Sequence, residues 1–417
     1  MRNPSRLALL LWIVAAAQPV GASAEAQPQD TFTLEQAVTV ALAQNPSVRI
    51  ARQAVAAAEG LALQARAIPD PEISVEVNGI PRGLKLGDAE EQRIGITQPF
   101  EYPGKRALRT RLGRDALAQA RLALERTQRW VRAEVRKGFY RVLAAEERLE
   151  TLRALQETLK QVQETVIARY RSGSVPYTEI NRTRMELGRI QNEILEAKQR
   201  LAALRRAFNV LLGRVPDRPL RLRGSLEDFE VPRGSSIEGI LAQSLTVRIL
   251  ELEMAAAEKR LGLARMSYYP DFQVGVFADR LDGPEPLRGW ALEAGMRIPL
   301  WWTWKQRGSV REAEGRLGES RQRYQAALQA LRAKAADALS RARTARSRME
   351  NYRNRLLPEA EDALHAGLTH YQYGRIDTLN LLDLYRSYRA VKLEAIQAVL
   401  AYQEALARLS VAGERFE

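Results

Sequence analysis

The chain has no cysteine among its 417 residues and only two histidines. The first absence excludes a disulfide scaffold, a cysteine zinc site, an iron–sulfur cluster and a thiol nucleophile. It also excludes acylation at an N-terminal lipoprotein cysteine. The second excludes a histidine-rich metal cage. His365 and His370 fall roughly 140° apart around a helix and share no ligand face. No run of 18 apolar residues follows residue 30, so no mature helix is expected to cross a bilayer. Also missing are a phosphate-binding loop, a Ser-His-Asp set and a paired-carboxylate pocket, so neither an enzyme nor a cofactor is expected. The net charge is +14, but the arginines are dispersed among Glu and Gln along helical stretches. No basic-aromatic cluster or groove-reading motif accompanies them, which argues against nucleic acid.

What is present begins with an address. Arg2 and Arg6 precede an apolar run from Leu7 to Ala17, and Ala22-Ser23-Ala24 fits a small-residue cleavage site. Ala24-Glu25-Ala26 offers a second cut. Residues 1–24 therefore read as a cleaved signal peptide. Export without cysteine suggests a bacterial periplasmic or outer-membrane destination.

The remainder is one pattern written twice. Thr33-Leu34-Glu35-Gln36 and Ser235-Ser236-Ile237-Glu238 both read as capping boxes. Val48-Arg49-Ile50 returns as Val247-Arg248-Ile249, Pro69-Asp70 as Pro270-Asp271, and Lys105 as Lys305. Tyr170 and Gly173 return as Tyr371 and Gly374. The offset stays near about 200 residues, the mark of a duplication. The division expected is a first repeat over 25–213, a breaker-rich linker over 214–236 and a second repeat over 237–417. Each repeat predicts a first helix (34–67; 237–266), two short strands, a very long helix (104–170; 304–370), a Gly-marked turn and a last helix (175–212; 376–410).

The last helices carry the sharpest periodicity. Leu187, Ile190, Ile194, Ala197, Leu201, Leu204 and Phe208 alternate spacings of three and four, and Tyr388 to Leu409 repeat the phase. That is a heptad seam. At ~1.5 Å per residue the long helices approach ~100 Å, too long for a globular core. The fold class expected is mainly α with a small β part, built on long antiparallel coiled-coil helices.

The strands alternate with period two. Ile73, Val75 and Val77 alternate with Glu72, Ser74 and Glu76. Ile94 and Ile96 alternate with Arg93 and Gly95, and Trp290 to Ile298 alternate with Glu293 and Arg297. In Phe272 to Phe277 the polar side is broken by Phe277. Segments of this length suit tilted membrane strands of ~9–11 residues, with a charged lumen face and an apolar lipid face. The aromatics gather at the helix-side strand ends: Phe100, Tyr102, Tyr268, Tyr269, Trp301, Trp302 and Trp304. They would form an interfacial girdle. Polar loops over 79–90 and 281–289 would join the far ends. Four strands leave open edges, which lipid does not tolerate. A homotrimer would supply twelve strands, above the roughly eight of the smallest membrane barrels, and an α-barrel beneath.

At this point the sequence resembles the TolC-like outer-membrane efflux family over nearly all of its mature length. The resemblance rests on the duplication, on Thr33-Leu34-Glu35-Gln36-Ala37 leading to Asn45-Pro46, and on Gln98-Pro99-Phe100-Glu101-Tyr102-Pro103-Gly104-Lys105-Arg106. It also rests on Arg169-Tyr170-Arg171-Ser172-Gly173 and Tyr371-Gln372-Tyr373-Gly374-Arg375-Ile376-Asp377. The Gly-Lys-Arg after the second strand resembles the heavy-metal branch, the cobalt–zinc–cadmium outer-membrane component.

The resemblance implies a trimeric exit duct: a 12-stranded β-barrel in the outer membrane lipid and an α-barrel through the periplasm. The tips at Gly173, Ser174, Gly374 and Arg375 would meet a periplasmic adaptor (membrane fusion) protein joined to an inner-membrane RND pump. It further implies an aperture just past each turn, with Glu179, Asn380 and Asp383 as candidate ring residues and Arg182, Arg375 and Tyr371 as groups that hold it shut. Asn380 departs from the family's usual acid. Two other readings stay open on the sequence: a duct for drugs or type I secreted proteins, and a soluble periplasmic coiled-coil scaffold.

Overall fold

The structure is a computed structural model that describes residues 31–79, 91–229, 236–281 and 287–414. The expected signal peptide and its cleavage sites lie outside the described residues, as does most of both expected inter-strand loops.

In chain order the elements are β1 (Thr31–Phe32), α1 (Leu34–Gln44), α2 (Pro46–Gln64), β2 (Glu72–Asn78), β3 (Glu91–Phe100), α3 (Lys105–Arg171) and α4 (Tyr177–Leu211). The second half follows with β4 (Arg221–Leu222), α5 (Ile237–Ala242), α6 (Leu245–Met266), β5 (Asp271–Leu281), β6 (Leu287–Arg297), α7 (Arg307–Asn351), α8 (Leu357–Gln372) and α9 (Thr378–Leu409). The strands form one antiparallel sheet in the order β2-β3-β5-β6. Among the described residues no helix is long and apolar enough to cross a membrane.

Three expectations need correction. The helix over 34–67 is two helices, because Asn45 stops α1 and caps α2. Its Oδ1 accepts from the Ser47 N–H at 2.9 Å, with Pro46 as the first helical residue. Its Nδ2 donates to the carbonyl of Leu211 at 2.8 Å, tying this break to the end of α4. The helix over 237–266 likewise divides at Gln243-Ser244. The Ser244 hydroxyl accepts from Val247 N–H and donates to the Gly413 carbonyl. At the second expected capping box Ser236 accepts from the Gly239 N–H, and Ser235 lies outside the described residues. At Thr33 the box is complete, with Gln36 donating to and accepting from the cap residue.

The stretch over 304–370 is also interrupted. A π turn at Tyr352–Leu356 separates α7 from α8. Pro358 lacks an N–H and its ring crowds the carbonyl four residues back, so the wider turn relieves it. A second π turn spans Trp302–Gln306. By contrast α3 runs 67 residues unbroken, ~100 Å at ~1.5 Å per residue.

The helices form a layer that continues the sheet. α3 packs on α2 and α4, and separately on α6 and α9; α6 and α9 in turn carry α7 and α8. Helix order α2-α3-α6-α7 thus repeats strand order β2-β3-β5-β6. The seam is buried: Leu152, Leu155, Leu159, Val162 and Val166 of α3 meet Ile190, Ile194, Ala197 and Leu201 of α4 in one core. The segment over 214–229 runs along this layer. β4 pairs in parallel with β1, Leu220 and Leu226 are buried, and Tyr140 Oη donates to the Asp228 carbonyl.

Candidate functional site

Two regions carry chemistry: the sheet and the tip. In the sheet, alternation sends one set of side chains to each face. The apolar face is bare. Ile73 is 77% exposed, Leu292 77% and Trp290 82%, and Val75, Ile94, Ile96, Val276 and Met296 are exposed beside them. The opposite face carries Glu76, Glu293 and the ion pair Arg93–Asp279 at 2.8 Å.

Phe277, the residue that breaks the polar alternation, is buried on that charged face. Its ring lies where a Cβ on Gly95 or Gly275 would sit, and the Arg93 guanidinium stacks over it at 5.3 Å. The two glycines make room for the ring, and the ring covers backbone they leave bare.

The aromatics sit where the sequence expects them, at the helix-side ends. Tyr102 and Tyr269 stack at 4.5 Å, and Trp301 and Trp304 at 6.4 Å. Phe100, Tyr268, Trp302 and Trp304 are exposed. The junction beneath is pinned by Asp271, whose Oδ1 accepts from Lys105 Nζ and from the Tyr102 N–H, both at 2.8 Å.

At the other end, α3 and α8 each close in the same turn. Gly173 N–H donates to Tyr170 O and Ser174 N–H to Arg169 O; Gly374 N–H donates to Tyr371 O and Arg375 N–H to His370 O. Both glycines hold φ near +70° (+72° and +71°), and no atom crowds a Cβ at Gly173. The left-handed backbone, not packing, requires glycine there.

Past the turns the two tips diverge. Pro176 caps α4 with no side-chain bond, while Asp377 caps α9 by accepting from the Asn380 N–H at 2.8 Å. Glu179 is held by Arg182 at 2.7 Å, one turn along the same helix. Its second oxygen is buried without a hydrogen bond among the described residues. Asp383 and Asn380 are exposed on α9. Tyr371 is 2% exposed. Its hydroxyl shares a hydrogen bond with Thr378 at 3.0 Å, and Arg169 lies over its ring at 4.8 Å while donating to its carbonyl. Arg169 thereby joins the two tips. So the structure brings Glu179 to Arg182, commits the Tyr371 hydroxyl to Thr378, and leaves Arg375, Ser174 and both tip glycines exposed.

One cluster went unread in the sequence. Glu186 of α4 is 1% exposed and faces three arginines. Arg386 donates at 2.8 and 3.1 Å, Arg389 lies at 3.4 Å and Arg189 at 3.2 Å. Arg389 also reaches Glu193 at 3.3 Å. Burial alone would raise the Glu186 carboxyl, but the Arg386 hydrogen bonds and the surrounding positive charge outweigh it and hold it below the usual carboxylate range. Close by, Tyr385 Oη donates to the Leu155 carbonyl of α3, and burial pushes its phenol up. The arrangement clamps the two repeats together a few turns above the tips. No local motif announces it, because two of its three arginines, Arg386 and Arg389, lie on the other repeat.

Among the described residues no group of three His, Cys, Asp or Glu side chains is placed to hold a metal ion.

A sheet that bares an apolar face and leads into ~100 Å helical columns defines a membrane-seated channel subunit rather than a globular domain. The chain belongs to the outer membrane efflux protein family, whose profile matches residues 37–214 and 237–412. It is 26% identical over 359 residues to the cobalt-zinc-cadmium resistance protein CzcC of Cupriavidus metallidurans, covering 85% of this chain and 84% of that one. It is 24% identical over 375 residues to the cation efflux system protein CusC of Escherichia coli, covering 85% and 80%. Its fold matches the crystal structure of CusC with a TM-score of 0.79 at 18% identity, over 91% of this chain and 92% of that one. The protein is thus an outer-membrane efflux channel.

Proposed function

We propose that three copies of this chain form the exit duct of a tripartite pump that expels heavy-metal cations. The observation that carries the trimer is the pair of open edges: β2 and β6 each have a single neighbour in the sheet, and lipid does not accept an unpaired edge. Joining β6 of one copy to β2 of the next closes a barrel of twelve strands, and the same joint brings α7 of one copy beside α2 of the next. The two repeats, 25–213 and 237–417 with a linker at 214–236, then supply alternate sectors of the ring. The signal peptide directs export, and the barrel with its aromatic girdle, not a lipid, is the anchor. A soluble scaffold fits poorly with the bare face of Ile73, Leu292 and Trp290.

The tip turns are the contact for a periplasmic adaptor, and an inner-membrane RND pump lies beyond it. Support for metal cargo is the name of the first relative and the Gly104-Lys105-Arg106 resemblance. Deleting the gene is expected to sensitise cells to cobalt, zinc or cadmium, reversed by the wild-type chain. Sensitisation to dyes and detergents alone would transfer the cargo to drugs.

Glu179 and Asp383 are proposed to ring the aperture. Three copies of each would attract cations and repel one another in a narrow passage, with the Glu179–Arg182 pair tempering the first ring. Glu179→Ala with Asp383→Ala should lower cation preference in single-channel recordings; unchanged conductance and selectivity would remove both from the aperture.

A further inference from the structure

The first edge of the helical layer carries a second apolar stripe. Leu63 of α2 and Met185, Leu195 and Val210 of α4 are each more than half exposed. Met185 and Leu195 stand about 140° around α4 from the seam residue Ile190, at ~100° per residue. α4 packs along the part of α3 remote from the sheet, so lipid does not account for its stripe. The inner helices show nothing similar. Among the described residues α6 exposes no large apolar side chain, α3 only Tyr170 and α9 only Leu379, both beside the tips. A helix that is apolar on two sides asks for two neighbours, and α4 packs chiefly on α3.

The other edge offers the counterpart. On α7, Gly315, Ala326 and Ala333 are exposed and lie about 140–160° from the buried Leu317 or Leu331. Among the described residues a Cβ on Gly308, Gly315 or Gly318 would meet no atom within 4 Å. Glycine inside a helix is unfavourable, and the chain's own packing gives no reason for these. Inside the layer the glycines do have one: Gly113 of α3 lies against Ala62 and Ala65 of α2, and Gly138 against Phe208 of α4. There glycine lets the next helix come close. Charge agrees with shape. Asp362 of α8 is exposed and has no ion-pair or hydrogen-bond partner among the described residues. Arg184 of α4 is exposed and reaches only the Tyr177 hydroxyl, at 3.3 Å. Asp362 stands twelve residues before Gly374 and Arg184 eleven after Gly173, so the two lie at similar depth from the turns.

We propose that the α7–α8 edge of one copy docks on the bare stripe of α2 and α4 of a second copy. The large side chains of the stripe enter the glycine and alanine hollows of α7, and Asp362 pairs with Arg184 of the next copy. The two surfaces differ, so the contact is head-to-tail, the kind that closes into a ring. The proposal deepens the ring reading and rests on it, but its grounds are the helices and not the open strand edges.

The test uses the full chain, extracted from membranes in neutral detergent, with copies per particle counted by native mass spectrometry over a dilution series. Gly315→Leu with Ala333→Leu should assemble about tenfold more weakly, because overfilling a packed contact is destabilising. Its helical circular dichroism should match wild type, since both positions are exposed within one chain. Asp362→Arg should weaken assembly about threefold at low salt, and adding Arg184→Asp should restore it. Leucine variants that assemble as well as wild type, or a charge reversal that its partner does not restore, would overturn the docking while wild-type trimers kept the ring. Wild type found only as monomers would overturn the ring and the docking together.

Discussion

Leu292 in β6 and Leu152 in α3 are the same side chain in opposite settings. The first is 77% exposed on the sheet, the second 0% exposed in the helical seam. On the proposed reading the difference is one of solvent. Where water surrounds the chain, burying a leucine is favourable by about 1.5–3 kcal/mol, and the helices turn their heptad positions inward. In the proposed barrel lipid surrounds the sheet, apolar side chains gain nothing by hiding, and they would point outward while charges such as Arg93 and Asp279 would point to the lumen. One chain therefore carries two inverted patterns, and each can be broken separately.

The largest effect is expected at the charged clamp of the helical layer. Glu186→Ala takes the shared carboxylate from Arg386 and from the mostly covered Arg389 and should destabilise the α4–α9 contact by about 3–5 kcal/mol. Limited proteolysis should then cut faster at the Gly173 and Gly374 turns. Slightly smaller is Leu152→Ala, which leaves a cavity in the seam and should cost about 2–5 kcal/mol of thermal or denaturant stability. Leu292→Ala, the same truncation on the bare face, opens no cavity and should cost far less. Next comes Leu292→Arg, which places a charge in lipid at about 2–4 kcal/mol per chain and should reduce recovery of membrane-inserted protein. Glu293→Arg, one residue along on the wetted face, should not. Smallest is Asp377→Ala, which removes the α9 cap for about 1 kcal/mol, read as faster amide exchange over Thr378–Leu381.

The clamp also sets a pH dependence. The Glu186 carboxyl is held below its usual value in the folded protein. Its contribution is therefore complete above the ordinary glutamate pKa of about 4.3 and is lost as pH falls through the lower folded value. Tip proteolysis should be flat from neutral pH down to that range and rise only below it. Glu186→Ala should remove the rise.

Much of this architecture was legible because its signals are local and periodic. The seam from Leu187 to Phe208 announces a long helix at every turn, and the glycines at 173 and 374 mark the reversals. Period-two alternation placed all four strands of the sheet. The helix interruptions were harder, although Asn45-Pro46 and Pro358 were present as breakers. A proline permits a break or a wider turn, and packing decides which. The β1–β4 pair is only two residues long, below any periodic signal. Phe277 looked like an error in the pattern until Gly95 and Gly275, on two different strands, were found beneath it. Glu186 could not be singled out from its helix, because two of its three arginines, Arg386 and Arg389, stand about 200 residues away on the other repeat. For the tip residues, sequence placed Glu179 and Arg182 near the turn, and the structure adds which partners hold them: Glu179 to Arg182, Tyr371 to Thr378.

The account depends most on the sheet being part of a closed ring. Within one chain β2 and β6 are separated by two strands, about 14 Å at ~4.8 Å per step, too far for a disulfide, which needs Cα atoms within about 7 Å. The absence of native cysteine makes a clean background for engineered ones. A panel pairing Ser74→Cys or Glu76→Cys in β2 with Glu293→Cys or Gly295→Cys in β6 is oxidised in intact membranes and separated on a denaturing gel. The account predicts that at least one pair gives a covalent trimer, lost on reduction. Monomers alone for every pair, in protein that remains in the membrane fraction, would contradict it.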